Sequence, residues 1–155
     1  MRVEHELARL GLKLPDPMAP VANYIGAVRV GSLLFVSGHG PRMDGKLIFQ
    51  GKVGRDLTIE QGYEAARLVM LNCLGTIKRE IGDLDKVERI VKLLGFVNAP
   101  EGFRESPKVI NGASDLLVQL YGEKGRHARS AIGVAALPSE IAVEIEMIVQ
   151  LKEGA

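Results

Sequence analysis

The stretch His127-Ala-Arg-Ser-Ala-Ile-Gly-Val-Ala-Ala-Leu-Pro138, with Val143-Glu-Ile-Glu146 shortly after it, is the most informative part of the sequence. Its residues favour two successive strands, 129–136 and 141–151, joined by a turn around Pro138-Ser139. In the second strand, apolar residues alternate with Glu144 and Glu146, so one face is apolar and the other carries both carboxylates. The first strand begins at an arginine, Arg129.

Upstream of this stretch, two helical patterns enclose one extended pattern. Thr58-Ile-Glu-Gln61 is a capping box, and helical apolar spacing continues from it to Gly82, which predicts the longest helix. Residues 87–97 are β-formers in a nearly continuous apolar run, which is typical of a strand covered on both faces. Ser106-Pro107 is an N-cap followed by proline at the first helical position, and an apolar stripe then runs to Gly122.

The N-terminal third predicts a short helix, a proline-rich lead-in and a hairpin. Residues 3–12 keep a helical apolar face, and three prolines then force an extended connection: Pro15, Pro17 and Pro20. The β-rich runs 25–30 and 33–37 are separated by Gly31-Ser32, a two-residue connection that is typical of a hairpin. A turn at 43–46 leads to a short third strand at 47–49.

The resulting order, ββ(β)-α-β-α-ββ after a short helix, mixes hairpins with helical crossovers. It predicts one α+β domain over 1–155, in which 1–19 are the N-terminal helix and lead-in and a mixed sheet carries two main helices on one face. The runs 33–36 and 91–97 place apolar side chains on both faces. We therefore expect the helix-free face to be buried against other subunits.

Composition narrows the functional classes. The chain has 155 residues, 46% of them hydrophobic, and its 20 basic and 19 acidic residues give a formal charge of +1, so no long-range field attracts nucleic acid or an anionic membrane. Cys73 is the only cysteine, and no Cys/His cluster or glycine-rich phosphate loop is present, so we expect no metal and no organic cofactor. The N-terminus alternates charged and apolar residues instead of forming a signal or a span, which predicts a cytoplasmic protein.

The C-terminal stretch resembles the signature of the Rid family (reactive intermediate deaminases, YjgF-like): Arg-Ser at the start of a strand, Leu-Pro at the turn, then a Glu-x-Glu strand. Tyr24 and Ser37-Gly-His-Gly-Pro41 also match that family in order and spacing, and the resemblance spans residues 20–151. It implies a chorismate-mutase-like fold and a homotrimer with three pockets between neighbouring subunits. Family members of the deaminase type hydrolyse 2-imino or enamino acids to 2-keto acids and ammonia.

The resemblance implies roles for three residues. Arg129 corresponds to the arginine that binds the substrate carboxylate, and a planar guanidinium suits two parallel hydrogen bonds to that anion. Glu144 corresponds to the glutamate that orients the attacking water, and Tyr24 to a tyrosine in the pocket wall. The alternatives are structural: Arg129 and Glu144 form an ion pair between adjacent strands, and Tyr24 only packs a strand start.

Further pocket candidates carry weaker signals: Asn111, Ser37, His39, Ser130 and His127. His127 stands where many members have proline, and Ala131 and Gly133 replace a frequent Cys and Glu, which indicates a divergent subgroup with a larger or less polar pocket. His39 occupies a position more often filled by another polar residue. Both histidines titrate near neutral pH, although each is also a common solvated turn residue.

Three functions compete at this point. The first is hydrolysis of small 2-imino acids, and the second is non-catalytic binding or sensing of a small carboxylate such as a 2-keto acid by the same pocket. Glu144 separates them, because catalysis needs a base whereas carboxylate binding does not. The third is endoribonuclease activity, a label that some family members carry; the near-zero charge and the absence of tryptophan argue against it.

Overall fold

The computed structural model describes residues 1–17, 19 and 22–155, so Pro20 lies outside the described residues. Within these ranges the helices are α1 (Arg2–Arg9), α2 (Ile59–Ile81) and α3 (Ser106–Tyr121). The strands are β1 (Ala27–Val30), β2 (Leu33–His39), β3 (Arg42–Met43), β4 (Lys46–Leu47), β5 (Val87–Asn98), β6 (Ala128–Val134) and β7 (Val143–Leu151). The predicted short N-terminal helix, hairpin and element order are confirmed.

Five strands form one mixed sheet in the order β1-β2-β7-β5-β6. The β5–β6 pair is parallel, and the other pairs are antiparallel. A parallel pair needs a crossover connection, and α3 supplies it. The α+β prediction is therefore confirmed, with the parallel strand β6 at one edge of the sheet and β1 at the other.

The hydrophobic core lies between the sheet and the helices α2 and α3. Alternate residues of β7, from Val143 to Leu151, are buried, as the sequence pattern predicts. The capping box forms as predicted, because Thr58 Oγ1 accepts from the Gln61 amide at 3.1 Å and Gln61 Oε1 accepts from the Thr58 amide at 2.9 Å. The helices touch through backbone at Gly112, where a Cβ atom would lie 2.0 Å from the Tyr63 carbonyl oxygen. This contact fixes α3 against α2.

The helix-free face of the sheet remains apolar. Four of its side chains are 42% to 61% exposed in the single chain: Val28, Val30, Phe35 and Ile132. Strand residues of this kind ordinarily pack against something. The expectation that other copies of the chain cover this face stays a prediction.

Two local predictions differ from the structure. The third strand, predicted at 47–49, is only Lys46–Leu47 and pairs with Arg42–Met43 in a separate two-stranded sheet, because Asp44 and Gly45 both have positive φ and fold the chain back at once. Ser106 is the first residue of α3 and not its N-cap; the cap position is Glu105, which makes no side-chain capping hydrogen bond. The Ser106 side chain is instead buried.

The strands that contain Arg129 and Glu144 are not neighbours. β6 follows the α3 crossover and pairs with one side of β5, whereas β7 pairs with the other side of β5. A short 3-10 helix, Pro138–Glu140, carries the chain between them. The adjacent-strand arrangement that an Arg129–Glu144 ion pair requires is therefore wrong.

Candidate functional site

A cavity of about 320 Å³ opens at the end of the sheet where β2 separates from β7. Four of the residues singled out from the sequence line it: Tyr24, Ser37, His39 and Glu144. Asn72 of α2 and the turn at Pro138-Ser139 complete its wall. The structure thus brings together residues that are as far apart as 24 and 144 in the chain. We call these residues the Glu144 cluster.

A β-bulge in β2 shapes this cavity. Val36 pairs with Met147 and His39 pairs with Ile145, so β2 advances three residues while β7 advances two. Gly38 lies in the bulge, directly against the Glu144 carboxylate, and a Cβ atom there would lie 2.9 Å from Glu144 Oε2. Glycine at this position leaves room for the carboxylate.

Glu144 is half-buried on the wall of the cavity. Burial raises the pKa of its carboxyl group, because a low-polarity environment disfavours the charged form, and the nearby anionic Glu146 raises it further. In the part of the chain that the structure describes, no hydrogen bond or ion pair holds this carboxylate. A carboxylate with a raised pKa and no cationic partner is suited to take up and release a proton.

The His39 side chain links β2 to α2 through hydrogen bonds of both ring nitrogens. Its Nδ1 lies 2.5 Å from the Ser37 carbonyl oxygen, to which it donates, and its Nε2 therefore accepts from the Thr76 hydroxyl at 2.7 Å. Burial lowers the pKa of His39. Both ring nitrogens are thus engaged within the chain, so His39 supports the bulge and offers the cavity no free proton donor.

Two further residues complete the predicted members of this cluster. Ser37 donates its hydroxyl to the Ile25 carbonyl at 2.6 Å, which ties the bulge to the segment before β1. Tyr24 stands at the mouth of the cavity with 52% of its surface exposed. A ring in this position can cover a bound molecule while its hydroxyl stays in reach of water.

A second cluster lies at the β6 edge of the sheet, and we call it the Arg129 cluster. Arg129 Nη1 donates to Asn111 Oδ1 at 2.8 Å and to Ser114 Oγ at 3.1 Å, and Ser114 Oγ lies 2.9 Å from His127 Nε2. His127 Nδ1 contacts the Gly125 carbonyl oxygen at 2.7 Å. Among the described residues, no carboxylate pairs with Arg129, and its Nε and Nη2 groups make no hydrogen bond.

Within one chain, the Arg129 cluster and the Glu144 cluster lie far apart. Arg129 pairs with Leu93 and shares its helix-facing side, whereas Glu144 pairs with Phe96 on the open side. Two strand spacings and three residues along the strands separate the Cα atoms of Arg129 and Glu144 by roughly 14 Å. A single subunit therefore cannot present the guanidinium and this carboxylate to one small molecule.

Ser130 belongs to neither cluster. It is exposed on β6, opposite Leu94, and points away from the face that Arg129 uses.

The sequence analysis did not single out three polar residues in or beside the two clusters: Asn72, Thr76 and Ser114. Asn72 and Thr76 interrupt the buried stripe of α2 four residues apart, and Ser114 follows Asn111 by three on α3, so helical spacing was the available signal.

Neither cluster groups enough metal-ligating side chains to form a metal site. Across residues 1–17, 19 and 22–155, no three His, Cys, Asp or Glu side chains are grouped as a bound metal ion would require. Cys73 is fully buried, and burial raises the pKa of its thiol. Over the same residues, no helix has the length and apolar character needed to cross a membrane.

Comparison with known proteins gives the family. The sequence model of the family described as "YjgF/chorismate mutase-like, putative endoribonuclease" matches residues 4–150. The chain belongs to the YjgF/Rid family. Membership of the Rid family supports a role in deaminating or binding small molecules, and the predicted family membership is confirmed.

Three relatives show where the chain stands within the Rid family. Protein TCP17 of Trypanosoma cruzi is 46% identical, over 97% of this chain and 94% of that protein. The crystal structure of Atu1372 from Agrobacterium tumefaciens is 43% identical, with a TM-score of 0.91 over 97% of this chain and 92% of the other. RidA from an Antarctic Psychrobacter is 27% identical, with a TM-score of 0.60 over 88% and 94% of the chains. The chain is thus more similar to Atu1372 than to RidA.

Proposed function

We propose that this protein hydrolyses small reactive 2-imino or enamino acids to 2-keto acids and ammonia. The pocket would form between subunits of a homotrimer, where the Arg129 cluster of one subunit faces the Glu144 cluster of its neighbour. The single observation that carries the proposal is Glu144: a half-buried carboxylate with a raised pKa and no ion-pair partner in the described chain, on the wall of a small cavity.

Arg129 would bind the substrate carboxylate. Asn111 and Ser114 hold the guanidinium through Nη1 alone, so Nε and Nη2 can donate two parallel hydrogen bonds to an incoming carboxylate. No carboxylate within the described chain competes for those groups. The cavity volume, about 320 Å³, lies at the lower end of the range for small-molecule sites.

Glu144 would handle the protons of the reaction. Its carboxylate takes a proton from water as the water oxygen attacks the imine carbon, and it returns this proton to the imine nitrogen, which gives a neutral carbinolamine. Glu144 then takes the hydroxyl proton and passes it to the amine nitrogen, so that the C–N bond breaks, the C–O bond becomes a carbonyl and ammonia leaves. Atoms balance without a cofactor, because the reaction consumes one imine and one water and yields one 2-keto acid and one ammonia.

The arrangement of the sheet supports the intersubunit pocket. The two clusters lie on different strands and on opposite faces, so they meet only if a second copy brings its β6 edge to the β2–β7 end of the first. The exposed apolar residues of the open face, among them Phe35 and Ile132, supply a surface on which copies can pack. A closed ring of three would repeat this contact three times.

The test is release of ammonia from imino acids generated in situ by an amino acid oxidase. The parent protein is expected to accelerate the release from a panel of 2-imino acids. Arg129→Ala and Glu144→Gln are each expected to abolish the acceleration, whereas Arg126→Ala, at an exposed neighbouring position, is expected to leave it unchanged. A parent protein that accelerates no member of the panel would contradict the proposal.

The same experiment tests the runner-up function, non-catalytic binding of a 2-keto acid. Ala131 and Gly133 place no polar side chain after Arg129, where many Rid proteins have a Cys and a Glu. Fewer polar groups near the arginine favour non-catalytic binding over catalysis. If the parent protein binds pyruvate in an Arg129-dependent way but releases no ammonia, the pocket is a binding site. Binding that survives Glu144→Gln is expected under both functions.

A further inference from the structure

The hydrogen bonds behind Arg129 have a fixed direction. The His127 Nδ1 group faces the Gly125 carbonyl oxygen at 2.7 Å, and since a carbonyl only accepts, Nδ1 carries the proton. In the neutral ring Nε2 is then the acceptor, so the Ser114 hydroxyl donates to it across 2.9 Å. The lone pairs of Ser114 Oγ are left for Arg129 Nη1 at 3.1 Å.

This chain of bonds determines which edge of the guanidinium is free. Ser114 Oγ and Asn111 Oδ1 occupy the two protons of Nη1, and two acceptors on one nitrogen hold the guanidinium plane as well as its position. The remaining edge consists of Nε and Nη2. Carboxylates bind to such an edge through two parallel hydrogen bonds.

The chemistry of the supporting groups also matters. An aspartate or glutamate behind Arg129 would orient it equally well but would compete with a ligand carboxylate for its charge. An imidazole acting through a hydroxyl orients the guanidinium and leaves the charge uncompensated, provided that the imidazole is neutral. Burial, and secondarily the charge of Arg129, lower the pKa of His127, while its bond to Gly125 opposes this.

We infer that His127, acting through Ser114, is a positioning residue that presents the Nε–Nη2 edge of Arg129 to the ligand carboxylate. The inference rests on the proposed role of Arg129 and deepens it. It assigns a purpose to the histidine at the position where many Rid proteins have proline, and to a serine that the sequence alone did not single out.

The experiment measures pyruvate binding by calorimetry and the hydrolysis kinetics of 2-iminopropionate generated in situ, for Ser114→Ala, Ser114→Thr and His127→Phe. Ser114→Ala and His127→Phe are expected to raise the Kd of pyruvate and the KM about three- to tenfold, with kcat within about twofold of the parent, since the first removes the hydrogen bond from Ser114 to the guanidinium and the second removes the bond that orients the Ser114 hydroxyl. Ser114→Thr restores the hydroxyl and is expected to restore both constants.

Tyr63→Phe is the matched control. It removes the 2.7 Å hydrogen bond from Tyr63 to Asp115, the residue next to Ser114 on α3, without touching the Arg129 cluster. It is expected to change the melting temperature slightly and pyruvate binding not at all. If Tyr63→Phe weakens pyruvate binding as much as Ser114→Ala does, the effect is a general loosening of α3 and the inference is overturned.

Arg129→Ala separates failure of this inference from failure of the proposed function. If Arg129→Ala binds pyruvate as the parent does, the proposed role of Arg129 is wrong. If Arg129→Ala loses binding while Ser114→Ala and His127→Phe retain the parent Kd and KM, only the positioning role is wrong. A low yield of folded His127→Phe leaves Ser114→Ala and Ser114→Thr as the deciding pair.

Discussion

Arg129 is held from behind by an amide and a hydroxyl of α3, and no acidic side chain of the described chain neutralises it. The sequence singles out Arg129 as a candidate, because it stands at a strand start within a stretch that resembles the Rid signature. It does not identify the partners. Those depend on which face of β6 meets α3, and this follows from the crossover, which a pattern of residue types does not encode.

Arg129→Lys keeps the charge but removes the planar group that binds a carboxylate at two points. We expect pyruvate binding and imine hydrolysis to weaken by about 1.5–3 kcal/mol, roughly ten- to a hundredfold, and the melting temperature to change little. Calorimetry, ammonia release and thermal unfolding measure the three quantities, with Arg126→Lys as the exposed control. Pyruvate binding by Arg129→Lys that equals binding by the parent would refute the carboxylate-anchor role.

If Glu144 is the proposed base, the reaction depends on pH. The proposed mechanism needs the deprotonated carboxylate, and burial together with Glu146 raises the pKa of Glu144, so kcat/KM is expected to rise with pH through a midpoint above that of an ordinary glutamate. Glu146→Gln removes the neighbouring anion and is expected to shift this midpoint to lower pH. The pH profile of kcat/KM is the measurement, and Glu88→Gln, at a partly exposed residue paired with Lys124, is the control. A midpoint unmoved by Glu146→Gln would contradict the assignment.

At the scale of elements, the sequence predicts what depends on local chemistry. The capping box places the start of α2, and alternation in β7 predicts its buried face. The sequence does not predict the bulge in β2, because Ser37-Gly38 is equally typical of an ordinary turn. The bulge arises from pairing with β7, more than a hundred residues later in the chain. The same long-range pairing brings Gly38 against Glu144.

Gly38→Ala tests the bulge. The backbone of Gly38 does not have positive φ, so alanine is tolerated there, but its Cβ would lie 2.9 Å from Glu144 Oε2 and displace the carboxylate. We expect kcat to fall by about tenfold or more while the melting temperature stays within a few degrees of the parent value. Arg126→Ala, at an exposed position outside both clusters, is the control. Unchanged kcat in Gly38→Ala would show that the position of Glu144 does not matter.

The N-terminal helix α1 depends on Asp85. Its carboxylate accepts from the Arg2 and Val3 amides at 2.6 and 2.8 Å, and thereby caps the helix from a distant part of the chain. Burial alone would raise the pKa of Asp85, but hydrogen bonds from the amino group of Met1 and from these two amides outweigh it and lower the pKa. The stabilisation is therefore present above the unfolded-state pKa of about 3.9 and is lost as pH falls through the lowered value.

Asp85→Asn is expected to cost about 1–2 kcal/mol of unfolding free energy at pH 7, because the neutral amide is a weaker acceptor at a helix N-terminus. The cost should shrink as the pH falls from about 4 toward the lowered pKa, because protonation of the carboxylate in the unfolded chain progressively removes the advantage of the charged form. Urea unfolding at several pH values measures it, with Glu101→Gln in an exposed loop as the control. A cost that does not depend on pH would mean that shape, and not charge, makes Asp85 important.

At the scale of the whole molecule, Arg129 and Glu144 lie on strands that are not neighbours, although both belong to the stretch that resembles the Rid signature. The sequence predicts the α+β order and the apolar open face, but it suggests that Arg129 and Glu144 lie on neighbouring strands. They do not, because β5 pairs between β6 and β7. Strand order in a sheet depends on how crossovers pack, so successive strands in the chain need not be neighbours.

Mixed assemblies test the division of the pocket between subunits. Subunits with Arg129→Ala and subunits with Glu144→Gln are each expected to be inactive alone. Co-expressed in equal amounts, they are expected to recover about a quarter of the parent activity, since each mixed trimer regains one intact pocket of three. Activity of the purified mixture is compared with that of the two variants mixed after separate purification. No recovery on co-expression would indicate that both residues do not serve one intersubunit pocket.

The placement of the two clusters at different ends of one sheet also relates activity to abundance. If neither cluster is active alone, dilution below the concentration at which the subunits stay associated dissociates the pockets as well as diluting them. Specific activity then falls with protein concentration instead of staying constant. Expression level thus sets both the amount of catalyst and the fraction of chains able to act, so halving the gene dose near that concentration lowers activity by more than half.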